Sequence, residues 1–140
     1  MKYIMVAKSF PAHHPKAGQP TGFRESILAG RKIHTLRKTA GGRKTGDIVS
    51  LRQWAGRPYA SKQVEFAQCR IAVNRFGIRD HLASSEHVAV TARADGFDNP
   101  LDFANWFGVD DRGMLQFDGV SIWFLDVKPT PEAKRKKAKV

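Results

Sequence analysis

Residues 27–38 read ILAGRKIHTLRK, and no other stretch of the chain is as concentrated in reactive side chains. A helix is predicted to stop at Gly30, because glycine tolerates the left-handed backbone conformation that ends many helices. A strand is predicted to follow, with Thr35 and Arg37 on one face. Lys32 lies three residues before Thr35, so the two side chains can converge only if Lys32 sits in the bend before the strand. Such a junction is expected to present several functional groups to one ligand.

The size and composition are those of a single small domain. The chain has 140 residues, of which 41% are hydrophobic, which is enough to bury a core. No apolar run approaches the roughly 18 residues of a membrane helix, and no signal peptide is recognisable, so no membrane association is predicted. The single cysteine, Cys69, excludes an intrachain disulfide, and residence in the cytoplasm is the expectation.

The net charge of +11 is unevenly distributed. Residues 1–45 carry ten Lys and Arg against one acidic residue, residues 46–129 carry nine against eleven, and residues 130–140 carry five against one. Positive charge therefore concentrates in the first third of the chain and in its tail. This asymmetry favours an anionic partner, nucleic acid above all, over a surface that is basic only for solubility.

The hydrophobic pattern is mainly that of strands. Glycine and proline turns divide the chain into predicted strands near residues 2–10, 33–37, 48–54, 62–76 and 114–128. Helices are predicted before Gly30 and after an Asn99 cap with Pro100 at the first helical position, while residues 86–94 fit either a strand or a short helix. The economical architecture is an α+β, mainly β fold: a small, partly open β-barrel with short peripheral helices.

Several short motifs occur in a fixed order along the chain. They comprise Ile27, Gly30, Arg31, Lys32, Thr35 and Arg37, then Thr45-Gly46-Asp47, Ala94-Asp95-Gly96-Phe97 and Trp123-Phe124-Leu125-Asp126-Val127. This order resembles the ASCH domain, a branch of the PUA-like β-barrel superfamily. The resemblance implies an ASCH domain over residues 1–128 and favours a helix over residues 86–94. The composition of residues 129–140 predicts a disordered basic tail.

The same resemblance implies a ligand and a chemistry. Family members are thought to bind RNA or nucleotides beside the Gly-x-Lys segment, here Gly30-Arg31-Lys32. One bacterial branch is an amidohydrolase that cleaves N4-acetylcytidine with a lysine, a threonine and a glutamate, and another member has been described as a ribonuclease. Carried onto this chain, the catalytic residues are Lys32, Thr35 and Asp95, with aspartate one methylene shorter than the family's glutamate. Thr35 would attack, a neutral Lys32 would take its proton, and Asp95 would either orient the lysine or pass the proton to the leaving amine.

Residue chemistry suggests further ligand-binding groups. Arg31 and Arg37 offer planar guanidinium forks suited to phosphates or base edges. His34 and His14 can bind a base or act as acid and base, and with Lys32 they could serve a ribonuclease.

Two more predicted ligand-binding residues lie in turns. Lys16 accompanies His14 in the proline-rich loop of residues 11–20, and Trp54 near the turn at residues 55–61 can stack a base. No spacing of histidine, cysteine or acidic residues predicts a metal site, and no cofactor is predicted.

Three classes of function remain open. The first is an RNA- or nucleotide-binding protein with its cleft beside Gly30-Arg31-Lys32. The second is a hydrolase, acting either on a modified nucleoside such as N4-acetylcytidine or on RNA. The third is an interaction domain whose basic segments contact an acidic protein, with Lys32 a solvated lysine and Thr35 an ordinary strand residue.

Overall fold

The computed structural model describes residues 1–81 and 86–131. Its elements in chain order are β1 (Lys2–Met5), α1 (Phe23–Leu28), β2 (His34–Arg37), β3 (Ile48–Trp54), β4 (Gln63–His81), α2 (Glu86–Ala94), α3 (Pro100–Phe107) and β5 (Met114–Pro129). The expected mainly β fold with short helices is confirmed, and residues 86–94 form a helix. Within the described residues, no helix has both the length and the apolar character needed to cross a membrane.

The described strands form one mixed sheet in the order β1-β3-β4-β5-β2. β1 runs parallel to β3, and the other three neighbouring pairs are antiparallel. β1 and β2 lie at opposite edges and do not pair with each other, so the sheet is open. The expected barrel is therefore not confirmed, and the structure supports the coarser description of a mainly β fold on one sheet.

A long antiparallel pair, β4 and β5, forms the centre of the sheet. The two strands pair from Ala67 opposite Pro129 to His81 opposite Met114, with a register shift between Gln68 and Arg70. β4 extends to His81, five residues past the predicted end at residue 76, because β5 continues to pair with it.

The end of α1 sets the direction of the chain into β2. Gly30 has φ +78°, and its backbone N–H donates to Ile27 O. The N–H of Arg31 donates to Ser26 O at 2.8 Å, which completes a Schellman motif. The N–H of Lys32 donates to the same carbonyl oxygen at 3.1 Å. The predicted glycine stop is confirmed, and it fixes the backbone positions of Arg31 and Lys32.

The third helix also begins as the sequence predicts. The Asn99 side chain accepts a hydrogen bond from the backbone N–H of Asp102 at 2.8 Å, and Pro100 occupies the first turn. Gly108 follows the last helical residue and donates its N–H to Ala104 O. α3 is therefore held at a defined place beside the sheet, where its buried face can complete the core.

The core lies between the sheet and the helices. Its fully buried side chains come from both layers and include Phe66, Ile71, Leu115 and Ile122 from strands, and Ile27, Val88 and Phe103 from helices. An aromatic group next to this core contains Phe10, Phe23, Phe97 and Trp106, whose ring centroids lie 5.3–6.4 Å apart in the contacting pairs. Such tilted and edge-on contacts are favourable for aromatic side chains.

Side chains bridge the two unpaired edges of the sheet. Arg37, at the end of β2, donates from Nη2 to Met5 O in β1 at 2.7 Å. Arg43 donates from Nε to Tyr3 O at 3.0 Å, and Lys2 donates from Nζ to Gly42 O at 2.8 Å. The edges of β1 and of β2 with its following turn therefore approach each other without backbone pairing. The gap between them is wide enough to form a cavity.

The predicted tail begins with two residues that belong to the fold. Pro129 is the last residue of β5, and Thr130 is buried. The Thr130 N–H donates to Phe66 O, and its hydroxyl donates to Glu65 Oε1 at 2.7 Å. Pro129 and Thr130, which the prediction assigns to the tail, therefore make contacts within the described fold, and residues 132–140 lie outside the described residues.

Candidate functional site

A cavity of about 590 Å³ opens at the gap between β1 and β2. Four parts of the chain surround it: the segment from Met5 to Pro11, the strand residues Thr35 to Arg37, the turn after β3, and the aromatic side chains near α3. Its lining includes Lys8, Phe10, Phe23, Lys32, Thr35, Arg37, Trp54, Tyr59, Asp95, Phe97, Trp106 and Phe107. Apolar walls with a few polar groups are typical of a small-molecule site.

Lys32 is held at the inner wall of this cavity. β2 begins only at His34, so Lys32 lies in the bend before the strand, as convergence with Thr35 requires. Its Nζ donates to Asp95 O at 2.6 Å, to Asp95 Oδ1 at 3.0 Å and to His34 O at 3.0 Å. It also lies 4.5 Å from the centroid of the Phe23 ring. Three donated hydrogen bonds use the whole donor set of an ammonium group.

The protonation of Lys32 is set by opposing effects. Burial lowers the pKa of Lys32 below its ordinary value, because an ammonium loses its hydration in the interior. The charge of Asp95 and its hydrogen bond act in the opposite direction, and the nearby Arg37 guanidinium adds to the lowering. The net direction favours a neutral amine more than in a solvated lysine.

Asp95 comes to the cavity from the end of α2. Its Oδ1 accepts from Lys32 and lies 3.3 Å from His34 Nδ1, which fits an imidazole that donates from Nδ1. Its Oδ2 makes no hydrogen bond to any other residue in the described part of the chain. One carboxylate oxygen thus fixes the two basic side chains, while the other is free for a ligand.

Gly96 allows the close packing of this pair. It has φ +90°, and a Cβ added there would lie 2.9 Å from Lys32 Cδ and 3.0 Å from Lys32 Cβ. The aliphatic part of Lys32 therefore packs directly on the Gly96 backbone. This contact is the physical reason for glycine after Asp95.

Thr35 lines the same cavity as Lys32 and Asp95. Its side chain is buried, yet its hydroxyl makes no hydrogen bond with the other described residues. The predicted catalytic residues Lys32, Thr35 and Asp95 thus lie together, although Asp95 is 63 residues from Lys32 in sequence. Their catalytic role stays a prediction.

Arg37 is the second cation of the cavity wall. Burial lowers the pKa of Arg37, the positive charge of Arg43 adds to this, and Asp95 opposes it. Its Nη2 is bound to Met5 O, while the remaining N–H groups of the guanidinium make no hydrogen bond to other described residues. The Arg37 guanidinium, predicted to bind a phosphate or a base edge, therefore still has N–H groups available for a ligand.

Two aromatic residues stand at the mouth of the cavity. Trp54 ends β3 and is half-buried, and its ring centroid lies 5.2 Å from that of Tyr59. Tyr59 is 91% exposed and has φ +62°, which is unusual for a bulky residue. An exposed aromatic held in this way can stack on a planar ligand.

Four predicted ligand-binding residues do not line this cavity. His34 turns toward Asp95 and packs edge-on against Trp123, with ring centroids 4.7 Å apart. Arg31 is exposed and lies at a second, smaller cavity.

His14 and Lys16 instead attach the loop of residues 11–20 to α3. His14 Nε2 donates to Asp102 O at 2.9 Å, and its Nδ1 accepts the Lys16 backbone N–H at 3.0 Å. Lys16 Nζ pairs with Asp102 Oδ2 at 2.6 Å. Both ring nitrogens of His14 are occupied by these hydrogen bonds, so His14 and Lys16 anchor the loop to α3.

Sequence reasoning missed the apolar walls of the cavity. Phe10, Phe23 and Phe97 line it, but their spacing resembles that of ordinary core residues. Phe97 alone carried a signal, because it directly follows Asp95 and Gly96 in one of the ordered sequence motifs. Phe10, in the segment after β1, and Phe23, on α1, contact Phe97 only in the folded chain.

Comparisons of the chain with protein-family models, with curated proteins and with solved structures gave no match in any of the three.

Proposed function

We propose that this chain is an ASCH-type protein that binds RNA or a nucleotide, with one nucleoside in the cavity between β1 and β2. One observation carries the proposal: Lys32, Thr35, Arg37 and Asp95 line a single cavity whose mouth holds Trp54 and Tyr59. The family resemblance of the sequence supports the same ligand class.

The size and lining of the cavity suit a nucleoside. A volume of about 590 Å³ lies within the range of roughly 300–1,000 Å³ typical of small-molecule sites. Aromatic side chains at the mouth offer a stacking surface, which is the usual way in which proteins hold an unpaired base. A planar, partly polar ligand therefore matches both the walls and the entrance.

Free polar groups can recognise the edge of a base. The Thr35 hydroxyl can donate or accept, Asp95 Oδ2 can accept from an exocyclic amino group, and the unused donors of Arg37 can bind a carbonyl or a phosphate. The cavity wall carries three cations, Lys8, Lys32 and Arg37, against the single carboxylate of Asp95. This balance favours an anionic or electron-rich ligand.

The experiment is a calorimetric titration of cytidine, cytidine monophosphate and a short single-stranded RNA at a fixed, low salt concentration. Thr35→Ala is expected to weaken binding about tenfold, the effect of one lost hydrogen bond in a buried site. Thr39→Ala is the matched control, because Thr39 is exposed and does not line the cavity. Absence of binding by the wild type, or equal binding by Thr35→Ala, would overturn the proposal.

A second candidate function is hydrolysis of an N4-acylated cytidine. The observation that favours it is an unbonded Thr35 hydroxyl in the same cavity as the Lys32–Asp95 pair. Lys32 would act in its neutral form, with one of its three present hydrogen bonds given up so that the lone pair is free. Thr35 Oγ1 would attack the acetyl carbonyl while this amine takes its proton, and the C–N bond would then break as that proton passes to the departing amine. Water would cleave the resulting acetyl ester to give acetate and restore Thr35.

This candidate is tested by chromatography of cytidine and acetate released from N4-acetylcytidine. Thr35→Val is expected to abolish release, Thr35→Ser to retain it, and Thr39→Ala to leave it unchanged. An acetyl group trapped on Thr35 by acid quenching would support the covalent step. Wild-type activity in Thr35→Val would exclude Thr35 as the nucleophile without affecting the binding proposal.

Cleavage of RNA and binding of an acidic protein have no comparable support in the geometry. A ribonuclease that uses His14 or His34 needs an imidazole at the ligand, and neither ring lines the cavity. No surface observation favours an acidic protein partner over nucleic acid. Neither function is therefore proposed.

A further inference from the structure

A second cavity, of about 360 Å³, lies behind the wall that carries Lys32 and Asp95. Ser26, Arg31, Arg93, Gly96, Phe97 and Asp98 are among its lining residues. Phe97 lines both cavities. The sequence neighbours Lys32 and Arg31 line different cavities, as do Asp95 and Gly96. The two cavities are thus adjacent and share a wall.

The two arginines reach this cavity from different elements. The Schellman motif after α1 fixes Arg31, and Arg93 lies in the last turn of α2. The Ile33 N–H donates to Ala94 O at 2.8 Å, which ties the segment after α1 to the end of α2. The fold, rather than a single flexible loop, therefore brings these two guanidinium groups to one place.

The donors in this cavity are unused. In the part of the chain that the structure describes, neither Arg31 nor Arg93 has a side-chain hydrogen bond or an ion pair.

A hydroxyl that lines the same cavity is also unused. Ser26 is only 9% exposed, and its hydroxyl makes no hydrogen bond to another described residue. No fully buried side-chain polar atom of the described residues lacks a partner, so this hydroxyl is open to the cavity and can donate a hydrogen bond to a ligand.

From this arrangement we propose that the second cavity binds a phosphate group adjacent to the nucleoside held in the first cavity. Two guanidinium groups and a hydroxyl supply the donors that phosphate oxygens require. Asp98 opposes them with one carboxylate, which leaves the lining with a net charge of +1. The inference rests on the proposed function, and the phosphate is either the monoester of a free nucleotide or a diester of an RNA strand.

The experiment compares cytidine, cytidine monophosphate, a short single-stranded RNA and inorganic phosphate by calorimetry. Arg31→Ala and Arg93→Ala are each expected to weaken nucleotide or RNA binding about tenfold, as for one lost charge-assisted hydrogen bond. Binding of cytidine, which lacks phosphate, is expected to stay unchanged.

Asp98→Asn is expected to strengthen phosphate binding, because it removes the opposing charge. If RNA is the ligand, each arginine variant lowers the slope of log affinity against log salt by about one.

Arg24→Ala is the matched control, since Arg24 lies on α1, is exposed and pairs with Glu25. If Arg31→Ala and Arg93→Ala bind nucleotide as tightly as Arg24→Ala does, or weaken cytidine binding as much as nucleotide binding, the inference is overturned.

Failure of this inference is distinguishable from failure of the proposed function. Binding that depends on Thr35 but not on Arg31 rejects only the phosphate site. Binding of inorganic phosphate that depends on Arg31, with no cytidine binding, rejects the nucleoside cavity and its link to this site.

The ligand source follows from the same titrations. Monophosphate binding that depends on both arginines supports a free nucleotide, whereas dependence seen only with RNA supports a diester. If neither monophosphate binding nor RNA binding depends on Arg31 and Arg93, the inference is overturned.

Discussion

Lys32 Nζ lies 3.0 Å from Asp95 Oδ1, and both side chains are nearly excluded from solvent, with exposures of 3% and 4%. This buried ion pair joins the end of α1 to the end of α2 and forms the wall between the two cavities. A buried charge is tolerated only when it is paired and hydrogen-bonded, and here each partner satisfies the other. The pair therefore supports both the fold and the candidate site.

Removal of one partner is expected to destabilise the protein strongly. Lys32→Met leaves Asp95 as a buried carboxylate without its cation, and a loss of about 3–5 kcal/mol in the free energy of unfolding is expected. Urea denaturation followed by circular dichroism measures it.

The exposed pair of Arg24 and Glu25 provides the control, for which Arg24→Ala should cost less than about 1 kcal/mol. In a double-mutant cycle, Lys32→Met with Asp95→Leu should cost less than the sum of the single changes. Additive losses would contradict a stabilising pair.

Stability should depend on pH through Lys32. Burial lowers the pKa of Lys32 in the folded state below 10.5. At a pH between these two pKa values, the unfolded chain therefore binds the Lys32 proton more tightly than the folded chain does. Stability contributed through Lys32 therefore rises with pH between the lowered pKa and pH 10.5. Urea titrations of the wild type and Lys32→Met across alkaline pH should show the wild type gaining relative to the variant. A constant difference between them would show that the folded-state pKa is not lowered.

Substitution of Gly96 should disturb Lys32 through a steric contact. Gly96→Ala adds both the strain of φ +90° and a Cβ within 2.9 Å of Lys32 Cδ. The expected loss is about 2 kcal/mol or more in the free energy of unfolding, together with weaker ligand binding.

Gly42→Ala separates the two causes, because Gly42 has φ +79° and no atom lies within 4 Å of its added Cβ. It should show the backbone strain alone and leave ligand affinity intact. Equal effects of the two substitutions would mean that the contact with Lys32 has no influence.

Stacking at the cavity mouth should contribute to affinity without strong dependence on salt. Trp54→Ala is expected to weaken nucleoside and RNA binding by about 1–3 kcal/mol, the usual contribution of one stacked base. The slope of affinity against salt should not change, since no cation is lost. Tyr3→Ala is the control, because Tyr3 is an exposed aromatic residue that does not line the cavity. An equal loss in both variants would contradict a specific stacking role.

The sequence by itself determined the local structure around the site. Gly30 ends α1 because only a residue that tolerates positive φ fits there, and Asn99 with Pro100 starts α3 through local hydrogen bonding and a fixed φ. Side chains alternate between the two faces of a strand, which predicts that Thr35 and Arg37 lie on the same face of β2. These features depend on neighbours within a few residues, so composition and spacing suffice to predict them.

Only the tertiary structure decided which polar groups are free. Spacing gave no reason for Lys32 and Arg31 to face different cavities, or for His14 and His34 to be occupied by protein partners. The sheet is open, since β1 and β2 do not pair through their backbones, and the Arg37 side chain donates a hydrogen bond from β2 to Met5 O in β1. These contacts join residues that are far apart in sequence. They form because a charged side chain is stable in the interior only when a polar or oppositely charged group lies next to it. Asp95 is the clearest case, since its partnership with Lys32 exists only once α1 and α2 have packed.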